Sequence, residues 1–222
     1  MSLLLDLFAP TKCLFCNRLG SRVCSGCESS VGSSPRLVYR DGRIGFSATD
    51  YNDHAKKLLR SFKELGESEL ASTMARAMLP LLGCFEELPS LLVPIPSNRS
   101  SLEARGFNPA ELLAREVSLR RPGLTWANLL VRSRETLDQS KLSPTERHEN
   151  QTGSLVARVG QGSVLLVDDV ITTGATIKQA AQGLEKAGYF VQGFVTFAET
   201  ESKRCNLTTQ ATLPADGGTS WN

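Results

Sequence analysis

SVLLVDDVITTGATIKQAAQGLEKAG, residues 163–188, is the stretch on which the reading of this chain turns. It opens with Val164-Leu165-Leu166-Val167, the kind of apolar run shown by a parallel strand buried on both faces. Two adjacent carboxylates follow, Asp168 and Asp169, and then Thr172-Thr173-Gly174-Ala175-Thr176. Ile177, Ala180, Ala181 and Leu184 recur at helical spacing, and Gly188 stands just past them, where a left-handed cap is wanted. The unit is a strand, a tight loop and a helix. A loop of small hydroxyl residues and one glycine lets backbone N–H groups converge at a helix N-terminus, where the helix dipole favours an anion. The hydroxyls of Thr172, Thr173 and Thr176 add donors. The two carboxylates repel phosphate but suit the hydroxyls of a sugar and the waters of a Mg²⁺ ion. Phosphate at one end of the loop and sugar hydroxyls at the other describe a ribose 5-phosphate site. A plain buried strand with an Asp-rich turn and a capped helix is the alternative.

Residues 164–176 resemble the phosphoribosyl pyrophosphate (PRPP) motif of type I phosphoribosyltransferases: four apolar residues, two acidic ones, two variable ones, then Thr-Thr-Gly-x-Thr. Every position fits. The resemblance implies an α/β fold with a mostly parallel sheet flanked by helices.

Composition frames that reading. Of 222 residues, 41% are hydrophobic and 22% charged, ordinary for a globular protein with one core and a small appendage. A formal net charge of +2 announces neither nucleic acid nor an anionic membrane. No apolar run approaches the ~18 residues of a membrane span. The opening MSLLLDLFAP has no basic leader and a broken apolar run, so no secretory signal is expected and the cytoplasm is the expected location.

The N-terminal part, residues 1–35, holds Cys13-Leu-Phe-Cys16 and Cys24-Ser-Gly-Cys27. Each Cys-x-x-Cys turn lets two thiolates face one ion, and two such knuckles make a tetrahedral Cys₄ zinc ribbon. Asn17 and Gly26 tolerate the left-handed turns that knuckles use. The segment is too polar to build its own core, so a structural Zn²⁺ would stand in for one. Two disulfides or a redox pair are the alternatives; a reducing compartment disfavours the first, and a second Cys-x-x-Cys the other. Cys84 and Cys205 stand alone.

The main domain is expected over residues 36–200. Residues 44–49 read as a strand. A helix from about Asp53 carries an apolar stripe of Ala55, Leu58, Leu59 and Phe62. Lys56, Lys57, Arg60 and Lys63 fall largely off that stripe, either as a solvated basic face or as a reach toward an anionic ligand. A second helix is expected over residues 68–82. Residues 91–96, LLVPIP, form a short strand ended by proline. Asn108 then caps a helix with Pro109 at its first position and Glu111 completing a capping box. The polar stretch around residues 130–150 carries arginines at intervals and reads as a basic flap over a polyanion. Residues 193–198 read as a last buried strand. Residues 201–222 are polar and are expected to be a disordered tail.

Taken together, the chain from Phe8 to about Ala198 resembles the ComF family, phosphoribosyltransferase-like proteins associated with bacterial competence. The resemblance rests on the Cys₄ ribbon, Ser61-Phe62-Lys63, Val93-Pro94-Ile95-Pro96 and Arg105-Gly106-Phe107-Asn108. It continues through Arg132, Arg134, Thr136, Gln139, Arg147 and Asn150 to the phosphate motif. Departures are Ser97-Asn98 for a Leu-His type pair, Pro109 for Gln, and Ser154-Leu155 for Ala-Phe.

The resemblance implies PRPP-dependent transfer of a phosphoribosyl group with release of pyrophosphate. The 5-phosphate would sit on Thr172, Thr173, Gly174, Ala175 and Thr176. Asp168 and Asp169 would hold the ribose hydroxyls and, through water, Mg²⁺. Pro94, Ile95, Pro96 and Arg99 would receive the pyrophosphate, with Arg105, Arg132, Arg134 and Lys63 closing over it. The fold reading adds a hood near residues 36–50. A second implication is an adaptor in DNA uptake that binds PRPP or a nucleotide without turnover and docks a helicase or single-stranded DNA. No Gly-x-x-x-x-Gly-Lys-Ser/Thr loop is present, which weighs against an ATP enzyme. Neither the acceptor nor the oligomeric state is encoded in a transferable pattern.

Overall fold

The apolar run at residues 164–167 becomes the middle of a central strand. In the computed structural model, which describes residues 11–32, 35–66, 68–132 and 155–200, β7 (Gly162–Ile171) lies between β8 (Tyr189–Glu199) and β3 (Leu91–Pro94) and is parallel to both. Outside β8 come β2 (Arg43–Asp50), parallel, and β1 (Arg36–Arg40), antiparallel; outside β3 comes β4 (Thr125–Trp126), parallel. The order in the six-stranded sheet is β1-β2-β8-β7-β3-β4.

Strand alternation sorts the core into two layers. Leu165 and Val167 of β7 pack with Leu92, Val195 and Phe197 on the face covered by α2 (Asp53–Leu65), α3 (Ser68–Met78) and α5 (Pro109–Arg120). Val164 and Leu166 pack with Val93, Val191 and Phe194 on the opposite face, under α6 (Ala175–Lys186). Covering both faces explains why the run is continuously apolar. Phe62, Phe194 and Phe197 are among the largest fully buried side chains, each contributing roughly 1.5–3 kcal/mol of burial.

The helices start and stop where capping chemistry directs. Asn52 accepts from the Ala55 N–H at 2.9 Å to open α2, and Gly66, at φ 62°, closes it. Asn108 caps α5 with Pro109 in the first turn, as expected. The expected helix over 68–82 is α-helical only to Met78 and continues as a 3₁₀ turn, Leu79–Cys84. Pro80 supplies no N–H and cannot extend the helix. A short helix, α4 (Arg99–Arg105), forms where none was expected, between an Asn98 cap and Gly106 at φ 77°.

The hood expected near residues 36–50 is not a separate cap. The segment is a hairpin turned at Asp41 (φ 53°) and Gly42 (φ 80°), and its second strand joins the central sheet beside β8. Two consecutive left-handed residues are what a tight hairpin requires, and Asp-Gly supplies them. Its tip rests on α6 through Asp41–Lys178 (2.9 Å) and Arg43–Glu185 (2.8 Å). The strand read at 193–198 is longer, and the apolar stretch at 164–167 lengthens to include both aspartates.

β5 (Leu130–Arg132) and β6 (Leu155–Ala157) form a separate antiparallel pair that buries Leu130 and Leu155 in the α6 layer. The expected flap between them and the expected tail after residue 200 lie outside the described residues. The N-terminal part is not independent of the core: Val23 is buried in it, and Leu14, Phe15 and Val31 pack against it.

Gly188 holds the turn from α6 to β8 at φ 100°, and a Cβ there would lie 2.3 Å from the Gly160 carbonyl oxygen. Gly188→Ala is expected to cost about 3 kcal/mol, from backbone strain and a clash with backbone. Urea denaturation should show a lower midpoint with an unchanged slope.

Candidate functional site

β3 leads through α5 outward to β4, whereas β7 leads through α6 in the opposite direction to β8. Between β3 and β7 the winding therefore reverses. Outside the carboxyl ends of two such strands the following loops diverge and leave a crevice. The Ile95 N–H donates to the Val167 carbonyl at 2.9 Å, holding the two strand ends together at its floor. The crevice is a cleft of about 180 Å³. Lys63, Ile95, Pro96, Arg105, Arg132, Asp168, Asp169 and Thr176 all line it, so most of the expected residues converge.

The two carboxylates are neighbours in sequence but differ in their partners. Both lie near the end of β7 and line the same cleft, close enough for their carboxyl groups to interact directly. Asp169, in phase with Leu165 and Val167, faces the α2 layer and pairs with Lys63 Nζ at 2.8 Å. The basic residues of α2 thus divide. Arg60 pairs with Glu64 and Lys56 with Asp53 on the exposed side, while Lys63 reaches a carboxylate of the cleft. Asp168 lies beside Asp169 and also feels the Lys63 charge. Burial, and then the Asp169 carboxylate, push Asp168 well above the usual carboxylate range; its Oδ1 accepts from the Asp169 N–H at 2.8 Å, which offsets part of this. Across the cleft, burial lowers the Arg132 guanidinium and the Asp168 charge opposes that shift. Arg132 Nε and Nη2 donate to the Pro96 carbonyl at 3.2 and 3.0 Å, which fixes the head against the loop after β3.

Residues 172–174 make the turn from β7 into α6. Thr172 and Thr173 are exposed; Gly174 is buried at φ 86° and is the residue before the first helical one, Ala175. The Ala175 N–H reaches Thr173 Oγ1 at 3.4 Å, and Lys178 N–H closes the first turn onto the Gly174 carbonyl at 2.9 Å. Thr176 alone of this group borders the cleft directly. Arg40, not singled out in the sequence, packs under the turn and donates from Nε to the Thr172 carbonyl at 3.1 Å. The position of the hairpin on α6 places it there, and no local motif announces it.

The loop after β3 is built around Asn108. Its Nδ2 donates to the Ile95 carbonyl at 3.0 Å and its Oδ1 accepts from Ser97 Oγ at 3.1 Å and from the Ala110 N–H at 3.3 Å. One side chain thus caps α5 and shapes the loop. Ser97, Asn98 and Ser101 join the lining; Ser101 was missed because α4 is too short to leave an apolar period. Arg105 Nε donates to the Ser101 carbonyl at 3.2 Å. Arg99 is not part of the lining and pairs with Glu103 at 2.7 Å on the outer side of α4. Pro94 is buried in β3. Arg134, Thr136, Gln139, Arg147 and Asn150 lie outside the described residues.

The second candidate is the cysteine cluster. The sulfurs of Cys13, Cys16, Cys24 and Cys27 lie within 4.8 Å of one another, close to the ~3.8 Å edge of a tetrahedron with Zn–S of about 2.3 Å. None of the four is in a disulfide. Burial raises the Cys13 thiol, but backbone N–H groups of Cys16, Cys24 and Phe15 outweigh it and bring it down to about 6. Hydrogen bonding to Cys24, then burial, pushes Cys27 up to about 12. The donor set fits a metal that takes thiolates. Asn17 is left-handed at φ 61°, as expected, but Gly26 lies inside the short helix α1 (Ser25–Glu28) and is not. The cluster is fastened to the core by the Arg22 N–H on Glu69 (2.9 Å), Glu28 with Arg76, and Phe15 edge-on to His54 at 5.0 Å.

Among the described residues no helix is long and apolar enough to cross a membrane. The model of the phosphoribosyl transferase domain family matches residues 101–209. "Competence protein ComFC" of Bacillus subtilis (strain 168) is 31% identical over 187 residues, covering 79% of this chain and 72% of that protein. "Competence protein F" of Haemophilus influenzae is 26% identical over 197 residues, covering 75% and 85%. "DNA utilization protein YhgH" of Escherichia coli (strain K12) is 31% identical over 150 residues, covering 64% and 66%. Among solved structures, an adenine phosphoribosyltransferase from Thermoanaerobacter pseudethanolicus aligns over 77% of this chain and 98% of its own, with TM-score 0.41 and 14% identity. That likeness is too distant to carry an argument.

A folded-state pKa above the ordinary 3.8 means that the folded protein keeps a proton on Asp168 that the unfolded chain releases. The group therefore favours folding at low pH and loses that contribution as pH rises from 3.8 through the raised value. Asp168→Asn keeps the acceptor for the Asp169 N–H and removes the titration. In ligand-free, magnesium-free protein it should raise Tm at about pH 7.5, with the gain shrinking toward about pH 4. Scanning calorimetry across pH checks this.

Proposed function

The chain belongs to the ComF family of phosphoribosyltransferase-like proteins, and we propose that it binds PRPP in the cleft at the ends of β3 and β7 and transfers its phosphoribosyl group to an acceptor. The observation that carries this reading is one crevice holding three chemistries. Carboxylates at the strand end suit a ribose diol, a hydroxyl-rich turn at a helix N-terminus, which meets the crevice at Thr176, suits a phosphate, and cationic side chains opposite suit a pyrophosphate.

In this reading Thr172, Thr173, Gly174, Ala175 and Thr176 receive the 5-phosphate on the backbone N–H groups that open α6. Asp168 and Asp169 accept from the ribose hydroxyls. Ile95, Pro96 and Ser97 form the wall for the pyrophosphate, with Arg105, Arg132 and Arg134 supplying charge. Arg99, turned to Glu103, drops out of the set. Lys63 must leave Asp169, at least in part, for that carboxylate to take a new partner, and the leaving pyrophosphate is the anion it would meet. Mg²⁺, held by Asp168 and Asp169 through water, would neutralise pyrophosphate charge. The bond from C1 of ribose to pyrophosphate breaks, the pair of electrons leaves with pyrophosphate, and a new bond forms from C1 to the acceptor. The protein orients the partners, stabilises the leaving charge and keeps water from C1.

A second reading follows from the relatives' names, which refer to competence and DNA utilization. The same cleft would bind PRPP or a nucleotide without turnover, and the chain would serve DNA uptake by docking a helicase or single-stranded DNA. Pyrophosphate release with a panel of nucleobases separates the two. The cysteine cluster takes structural Zn²⁺ in either case, and thiols that must stay reduced suit the cytoplasm.

Calorimetric titration with PRPP, with and without Mg²⁺, should give Mg²⁺-dependent binding by the wild type. The Asp168→Asn, Asp169→Asn double variant should weaken it by roughly a hundredfold, the scale of two lost charge-assisted contacts. Absence of binding by folded wild type sinks the reading. Cys24→Ser should remove bound zinc in elemental analysis and lower Tm, since the cluster and the core share contacts.

A further inference from the structure

Arg40 is the last residue of β1, and its side chain is only 10% exposed. Every guanidinium nitrogen is engaged by the protein itself. Nε donates to the Thr172 carbonyl (3.1 Å), Nη1 to the Tyr39 carbonyl (3.0 Å), and Nη2 to Glu199 Oε2 (3.1 Å) and the Thr200 carbonyl (3.2 Å). Its stem fills the space under the turn, because a Cβ added at Gly174 would lie 2.6 Å from Arg40 Cβ. Glu199 is also paired with Arg36 at 3.0 Å, and Arg36 with Asp50. Two cations and two anions form a cluster without net charge, so Arg40 has little field to offer a ligand. What it offers is a planar fork that spans the turn and the end of β8 at once.

We propose that Arg40 is a positioning residue for the phosphate turn. It fixes the Thr172 carbonyl and the left-handed Gly174, so that the N–H groups opening α6 are aimed before a ligand arrives. The inference rests on the reading of residues 172–176 as the 5-phosphate subsite. It assigns the hairpin at residues 36–50 a role in substrate binding through the backbone of a turn it touches only from beneath. A turn built from exposed threonines and a left-handed glycine would otherwise sample several conformations, and ordering it on binding would weaken affinity.

The test uses the full chain with Mg²⁺, as wild type, Arg40→Gln and Arg40→Lys. PRPP, ribose 5-phosphate and pyrophosphate are titrated separately, and hydrogen exchange is followed without ligand at the turn amides that have partners, Ala175 on Thr173 Oγ1 and Lys178 on the Gly174 carbonyl. Arg40→Gln should weaken PRPP and ribose 5-phosphate by roughly tenfold and leave pyrophosphate unchanged, since pyrophosphate would bind at the other end of the cleft. The turn amides should exchange roughly tenfold faster. Arg40→Lys should not restore either, because lysine keeps the charge but cannot span the same partners; it carries the comparison alone if the glutamine variant does not fold. Equal weakening of all three ligands, rescue by lysine, or unchanged exchange at the turn would overturn the proposal. If the wild type binds none of the ligands, the phosphoribosyl reading falls, and exchange alone decides for or against Arg40.

Discussion

Two adjacent carboxylates at the end of a buried strand are the constraint around which the rest of this structure is arranged. Asp168 and Asp169 sit side by side in one cleft, and the Lys63 ammonium is near both. Asp169 holds the direct ion pair with Lys63, while Asp168 faces the Arg132 charge across the cleft. Burying a carboxylate beside another is unfavourable, and the raised pKa of Asp168 expresses that cost in the ligand-free state. In the proposed PRPP site, a ligand that engages both carboxylates would offset that cost.

The parts of the chain around the sheet are arranged about that pair. α2 is positioned by Phe62 in the core and by the cysteine cluster leaning on it through Phe15 and His54, and so Lys63 arrives opposite Asp169. On the other face, β5 sets Arg132 over the loop after β3, and the Pro96 carbonyl holds its head in place. The edge hairpin contributes Arg40 beneath the turn from β7 into α6. Cysteine cluster and hairpin follow one another in the chain and the second sheet lies far beyond them, yet each meets the ends of β3 and β7 through one side chain or through the helix that carries it.

The central unit was legible in the sequence because its signals are local: an apolar run, two carboxylates, Thr-Thr-Gly, then a helical period. Asn108 was legible as a cap, though its second task, shaping the loop through Ile95 and Ser97, needs three dimensions. The hairpin was misread as a hood although Asp41-Gly42 is a strong turn signal; the strands beside it, with exposed Leu37, Tyr39 and Ile44, lack a clean alternation. α4 was missed because Leu102, its only large apolar residue, is exposed. Arg40 could not be read at all, since its partners Thr172 and Glu199 are far away in the chain and long-range pairing leaves no periodic trace.

The most direct measurement is a crystal structure of the protein with PRPP and Mg²⁺. The expected result places the 5-phosphate on the N–H groups of residues 173–176, the ribose hydroxyls on Asp168 and Asp169, and the pyrophosphate against residues 95–98, with Lys63 drawn off Asp169. A PRPP molecule seated away from the ends of β3 and β7, or Asp168 and Asp169 left untouched by it, would contradict a phosphoribosyl site in this cleft.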